Sequence, residues 1–444
     1  MEMLSLEYSL YPKSYDVVVI GGGTAGAIAA MAAGREGRSV LLVEREYALG
    51  GTATLAQTTP RMTNHMTQDV MNSSLSGELH ALLIKHGFGS GRIWFNPQLL
   101  KCALEEMCEK YGVDLLYGAD FLKIVGESGT LTHAIFQTIA GPLAVKGGTF
   151  IDATGNASVA ASAGCPVVEG DENGRNQPMT LRFALLNVDV EATREFMYRN
   201  GALDTMDQDY LELASLWKMG NHPLTSLFRK AVDDGVLIER DGNYFQSFAT
   251  QCYGTGVMYF NCPEASQIRN ALDPAAITEM VVYSRKAALR LLAFLRKYVP
   301  GFANAEFHSF SEIPGVRESR RIVGKYYLTE PDYDQRRRFP DGVAQTAYPI
   351  DIHDDALQTL HLMGPGEFFE IPFRSLIPQN VKNLLVAGRC VSASFRVQGA
   401  LRIQLVCMAL GEAAGIAAGL NAETAECDGV MIRHKMMAYG GTFA

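Results

Sequence analysis

None of the eight cysteines, at 102, 108, 165, 252, 262, 390, 407 and 427, forms a C-x-x-C pair. That removes the spacing on which metal or iron–sulfur ligation rests, so no metal set is expected. It leaves buried, reduced thiols of a cytoplasmic protein. Positive charge is also short: 39 Lys and Arg stand against 48 Asp and Glu, a net of −9. A nucleic-acid partner therefore lacks its electrostatic footprint. The compact basic run Arg336-Arg337-Arg338 reads as a solvated surface turn. No apolar run approaches the roughly 18 residues of a membrane span. The opening MEMLSLEYSLYPKS carries two acids and has no signal-peptide core, so no membrane partner is expected. Internal repeats and low-complexity tracts are missing as well. At 444 residues and 48% hydrophobic, the chain has room for two or three domains, or one large fold with an insertion.

What is present is organised around Tyr15 to Glu46. The run Val17-Val18-Val19-Ile20 reads as a buried parallel strand and breaks into Gly21-Gly22-Gly23-Thr24-Ala25-Gly26, a G-x-G-x-x-G fingerprint. An alanine-rich helix follows, ended by Gly34 or Gly37, and a second strand, Val40 to Val43, delivers Glu44. Gly21 permits the tight turn, Gly23 lets the backbone approach a pyrophosphate, and Gly26 lets helix and strand pack closely. The helix N-terminus offers free N–H groups and about half a positive charge to phosphates. Glu44 can accept both ribose hydroxyls and disfavours a 2′-phosphate, which points to FAD or NAD rather than NADP. Gly50-Gly51-Thr52 then lets the chain pass close to a dinucleotide.

Further along, Asn96 caps a helix to Tyr111 with Pro97 at its first position, a strand follows at Val113 to Leu116, and a hairpin or small meander covers roughly 121–126 and 131–139. A short strand ends in Ala153-Thr154-Gly155, and another ends in Ala387-Gly388-Arg389. Residues 176–370 mix strand-like pieces (181–188, 256–261, 305–311) with helical patterns near 208–219 and 274–298, and hold no second fingerprint. Gly399 to Leu420 reads as one small-residue helix whose first N–H groups, near Gly399 to Arg402, face an anion. Its glycines at 411, 415 and 419 fit tight packing in a soluble helix better than a membrane pair.

Three cofactor-type segments in this order resemble the FAD-binding fold of the glutathione-reductase-like flavoproteins. More narrowly, DATGNASVAASAG (152–164), QPMTLRF (177–183), GVRESRRIVGKYYLT (315–329), YPIDIH (348–353), the LLVAGRC segment (371–394) and LGEAAGIAAG (410–419) resemble the bacterial FAD-dependent oxidoreductase family. The resemblance implies an α/β fold. It pairs a Rossmann-like FAD-binding domain, residues 15–175 and 371–444, with an inserted α+β substrate domain, 176–370. It implies FAD, held by Gly21, Gly23, Thr24, Ala25, Gly26, Glu44, Arg45, Gly50, Gly51, Thr52, Ala153, Thr154, Gly155, Gly388, Arg389, Gly399 and Arg402. Where the wider superfamily has Gly-Asp this chain has Gly388-Arg389, which puts the usual carboxylate contact to the ribityl chain in doubt.

The flavin carries the chemistry, and hydride transfer with a small polar organic substrate is expected. An electron-transfer partner or oxygen would serve as the external donor or acceptor, and the oligomeric state is open. The alternatives are an NAD-dependent dehydrogenase using the single fingerprint, or an FAD-binding RNA-modifying protein. His353, two residues from Asp351 and so on the same face of a strand, is the first candidate base, and His65 the second. His353 can equally be a structural histidine at a domain junction. Arg317, Arg320 and Arg321, with Glu318, either recognise an anion or form an ion-pair lattice between domains, and Arg374 carries the same ambiguity. Cys390 is either a redox thiol or a buried small residue, with burial favoured. Arg402 and the helix start near Gly399 are expected to stabilise negative charge on a reduced flavin.

Overall fold

The computed structural model describes residues 7–64, 66, 70–91, 93–215, 223–353, 363–420 and 427–444. Its first strand, β1 (Tyr15–Ile20), is followed by α1 (Thr24–Arg35) and β2 (Val40–Val43). Helix α2 (Pro97–Lys110) leads to β3 (Val113–Leu116), then β4 (Asp120–Glu127), β5 (Thr130–Thr138) and the long β6 (Gly141–Asp152). The Asn96 side chain accepts from Gln98 N and Leu99 N, so the expected cap is in place. The strands run β3-β2-β1-β6-β5-β4 across one sheet. β6 belongs to two neighbourhoods. Its first half pairs antiparallel with β5, and its second half runs parallel to β1. Register then matters: Ile20 pairs with Val43 on one side and with Asp152 on the other. Every strand of this parallel core therefore ends at one edge, which is where ligands bind in doubly wound sheets.

A second sheet is antiparallel and has five strands. In order of sequence they are β7 (Phe183–Leu186), β8 (Tyr210–Ser215), β9 (Phe245–Thr250), β10 (Met258–Phe260) and β11 (Glu306–Phe310), arranged β8-β9-β10-β7-β11. The 25-residue helix α3 (Pro274–Tyr298) packs on it through Leu291, Phe294 and Leu295, in an apolar cluster with Phe183, Phe228 and Phe260. The helical pattern near 208–219 is corrected here. Residues 210–215 are an edge strand in which buried Leu211 and Leu213 alternate with half-buried neighbours, and 216–219 lie outside the described residues. Pairing with β9 along its whole length outweighed helix propensity.

The chain returns to the first sheet at β12 (Leu384–Val386), parallel to β6 with Val386 opposite Asp152. The single helix expected from Gly399 to Leu420 is two, α4 (Phe395–Leu401) and α5 (Gln404–Leu420), bent by 91°. Gly399 sits inside α4, and Arg402 closes it while its guanidinium is tied to Asp351, so the free N–H groups belong to the start of α5 instead. α5 lies on α1. A Cβ at Gly411 would stand 2.2 Å from Ala25 O, and one at Gly415 2.2 Å from Ala29 O, so only glycine permits this backbone approach. Among the described residues no single helix is long and apolar enough to cross a membrane. The bent pair α4–α5 passes by length and composition, but α5 is buried along nearly its whole length. Glu412, fully buried in it, accepts from Arg35 Nη2 (2.7 Å), Ser73 Oγ, Ser74 Oγ and Leu75 N. Leu328, Tyr333, Val343, Tyr348, Phe369 and Ile377 share the apolar cluster of α1 and α5 rather than that of the second sheet.

Candidate active site

The aligned strand ends open onto a cleft of about 370 Å³. It is lined by Gly21, Gly23, Thr24, Ala25, Glu44, Arg45, Gly51, Thr52, Ala153, Thr154, Gly155, Gly388, Arg389 and Arg402, all expected from the sequence. Gly21 has φ +101°, and a Cβ on Gly26 would stand 1.8 Å from Gly21 O, so the turn and the helix interlock as the fingerprint requires. The position of a Cβ on Gly23 meets no protein atom within 4 Å. This backbone faces the cleft directly. Gly50 holds its loop to the fingerprint through Gly50 N→Gly22 O at 2.8 Å, and Gly399 packs on Asp351 O behind α4.

Glu44 is buried, with Oε2 accepting from Gly22 N (2.6 Å) and Oε1 from Glu46 N (3.0 Å). Burial raises its carboxyl above the usual range despite these bonds, so further donors, such as a ribose diol, would favour the ionised form. Asp152 is more enclosed still. Its oxygens take Thr154 N, Thr154 Oγ1, Val159 N and Ala160 N, which fixes the Ala153-Thr154-Gly155 turn at the start of a short helix, Ser158–Ser162. Arg389, at the position of the superfamily's aspartate, lines the cleft while bonding to the neighbouring strand end. Its Nε donates to Gly155 O (2.9 Å) and its Nη2 to Asn156 Oδ1 (3.0 Å), so it clasps two strand ends together.

Beyond Arg402 lies a second cluster of charge. Arg402 Nη2 donates to Asp351 Oδ2 at 2.8 Å. His353 stands between two carboxylates, with Nδ1 2.7 Å from Glu264 Oε2 and Nε2 3.4 Å from Asp351 Oδ1. Arg317 pairs with Glu264 at 3.2 Å and donates to Pro178 O and Thr180 Oγ1. Burial opposes ionisation of Glu264 and Asp351. Arg317 and His353 for the first, and Arg402 and His353 for the second, outweigh it and hold both carboxyls below their usual range. The Tyr244 ring stands edge-on to His353 at 4.9 Å, and its OH donates to Gln246 Oε1.

The expected arginines separate. Arg317 joins this cluster. Arg321 is fully buried, pairs with Glu318 and donates to Gly170 O and Ala393 O, which is the lattice reading. Arg320 lies opposite Glu169 in the strand pair Val167–Glu169 and Arg320–Ile322, and no contact brings it to Arg317. Arg374 is held by Asp341 at 2.9 and 3.1 Å. Cys390 is fully buried and unpaired, with burial pushing its thiol up to about 12. His65 lies outside the described residues. Arg182, Glu264, Tyr244 and Gln177 were missed by sequence reasoning. Gln177 and Arg182 fall in the motif QPMTLRF, where an arginine between Leu181 and Phe183 was the available signal.

Glycine turn, acid at the second strand end, returning strand and bent helix pair together define an α/β flavoprotein of the Rossmann-like, dinucleotide-binding type. The chain belongs to the FAD dependent oxidoreductase family, whose model matches residues 16–432. It is an FAD-dependent enzyme. Among curated proteins, NADH:fumarate oxidoreductase of Klebsiella pneumoniae (strain 342) is 40% identical over 95 residues, 21% of this chain and 10% of that protein. Solved structures with a similar course include a geranylgeranyl bacteriochlorophyll reductase-like protein from Thermoplasma acidophilum, 13% identical at TM-score 0.46, covering 97% of this chain and 83% of that one. L-proline dehydrogenase from P. horikoshii is 13% identical at TM-score 0.42, with 91% and 93% covered. Neither the NAD reading nor the RNA-modifying reading of the fingerprint finds support among these matches.

Proposed function

We propose that this enzyme moves a hydride between a small polar organic substrate and FAD, with a separate electron donor or acceptor. The cofactor would lie along the cleft, with its pyrophosphate on the N–H groups of Gly23 to Ala25 and its ribose at Glu44. Bound FAD supplies the hydride-accepting and hydride-donating chemistry. The residues at 15–175 and 371–444 would hold it, and 176–370 would supply most of the substrate side. The observation that carries the reading is the cluster of His353, Glu264, Arg317 and Asp351, joined to the cleft through Arg402.

Within that cluster the two bonds of His353 are unequal. The 2.7 Å bond to Glu264 fixes Nδ1, and the 3.4 Å contact to Asp351 is too long to hold Nε2 firmly. Glu264 would thus set the ring's orientation, leaving Nε2 as the nitrogen that exchanges a proton with a substrate O–H or N–H. Arg402, with the first N–H groups of α5, would hold negative charge on the cofactor side of the cleft.

The test is anaerobic reduction of the FAD-loaded protein by candidate alcohol, amine and acid donors, followed as loss of the visible flavin bands. His353→Gln should retain FAD and slow reduction by about 10²- to 10⁴-fold, the range of general acid–base catalysis. An unchanged rate removes His353 from this role.

A further inference from the structure

Among the described residues, one guanidinium in the cluster has no counter-charge. Arg182, immediately before β7, donates from Nε to Asn261 Oδ1 at 2.8 Å, and its Nη1 is buried without a partner. Arg317 and Arg402 have Glu264 and Asp351, so three guanidinium groups face two carboxylates before His353 is counted. The groups do interact. After burial itself, the charges of Arg317 and Arg402 are what lower the proton affinity of Arg182. A buried charge is tolerated when an anion meets it, and an unpaired one is costly.

Two more buried donors are unpartnered among the described residues. Gln177 is 1% exposed; its Oε1 accepts from His353 N at 3.3 Å, while its Nε2 has no acceptor. Arg402 Nε is buried and unpartnered as well. Gln177 reaches Arg317 through His353 and Glu264, so these donors belong to one assembly. Resting on the flavin reading above, we propose that this buried cluster recognises the carboxylate of a small organic acid, with Arg182 Nη1 and Gln177 Nε2 as its donors. Arg182 is then a substrate-binding residue, and the substrate class is an organic carboxylate rather than a neutral alcohol or amine. The same fork geometry accepts inorganic phosphate, so the anion's identity must be tested directly.

The experiment titrates the FAD-loaded protein with succinate, with its neutral diamide and with inorganic phosphate, following the flavin bands and the heat of binding. Succinate is expected to bind at least about tenfold more tightly than the diamide, as the loss of one charge-assisted hydrogen bond requires, and more tightly than phosphate. Arg182→Gln should abolish that preference with FAD content unchanged, Arg182→Lys should restore part of it, and Arg374→Gln should leave it intact. Equal binding of succinate and diamide, tighter binding of phosphate, or an unaffected Arg182→Gln variant would each overturn the assignment. If Arg182→Gln does not fold, the wild-type selectivity and the lysine variant still decide. A protein that takes no FAD refutes the flavin reading alone, because heats of carboxylate binding on the FAD-free chain still test the Arg182 cluster.

Discussion

Gly26→Ala adds one carbon where there is least room for it. The new Cβ would stand 1.8 Å from Gly21 O and 2.9 Å from Ala153 Cβ, whereas ordinary contact begins at 3.4 Å. The turn and α1 must therefore separate by about 1.6 Å, the difference between those two distances. Overpacking of this kind costs about 1–3 kcal/mol of stability. The functional consequence is larger, because the displaced element is the helix start that would hold the cofactor's pyrophosphate. Losing one hydrogen bond to a charged group costs about 1.5–3 kcal/mol, which is about 10- to 150-fold in Kd. Titrating the FAD-free protein with FAD, read by quenching of flavin fluorescence, measures this directly. Gly37→Ala is the control. Its φ of +79° strains any side chain, but open space surrounds it, so it should lower stability without touching FAD affinity. A Gly26→Ala variant that binds FAD as tightly as the wild type would refute the interlocked-turn argument.

Two further outcomes follow from buried groups. Asp351 is held below the usual carboxylate range, where Arg402 and then His353 overcome the burial that opposes ionisation. A carboxylate whose folded pKa is depressed contributes stability that is complete above its unfolded value, about 3.9, and is lost as pH falls further. Asp351→Asn should therefore melt below the wild type at neutral pH, with the gap narrowing under about pH 4; a constant gap down to pH 3 contradicts the assignment. Cys390 remains a thiol at neutral pH because burial pushes it up to about 12, so Cys390→Ser should keep the wild-type rate of flavin reduction. A large loss of rate with FAD still bound would restore the redox role.

Features that short-range chemistry dictates were readable in advance. The glycine turn, the helix after it and the acid at the second strand end lie within about thirty positions, the span of one βαβ unit, and their spacing alone sets their geometry. Asn96 with Pro97 marked a helix start for the same reason, since a cap satisfies only the N–H groups beside it. The misread strand at 210–215 shows the limit: its conformation depends on β9, whose paired residues run from Thr250 opposite Tyr210 to Phe245 opposite Ser215, far along the chain.

The sequence by itself determined most of the cleft's lining, because the segments at Gly21, Glu44, Ala153 and Gly388 each follow a strand and the parallel sheet brings those strand ends to one edge. Only the tertiary structure decided the chemistry beside it. Arg182, Glu264, Arg317, His353 and Arg402 come from five separate stretches of chain and acquire roles only as partners. Pairing tied Arg321 to Glu318 and Arg374 to Asp341, gave Glu264 to His353, and left Arg182 Nη1 without an acceptor among the described residues. Charge neutralisation inside a protein is a property of what the fold brings within a few ångströms, and that is not written in the spacing of residues along the chain.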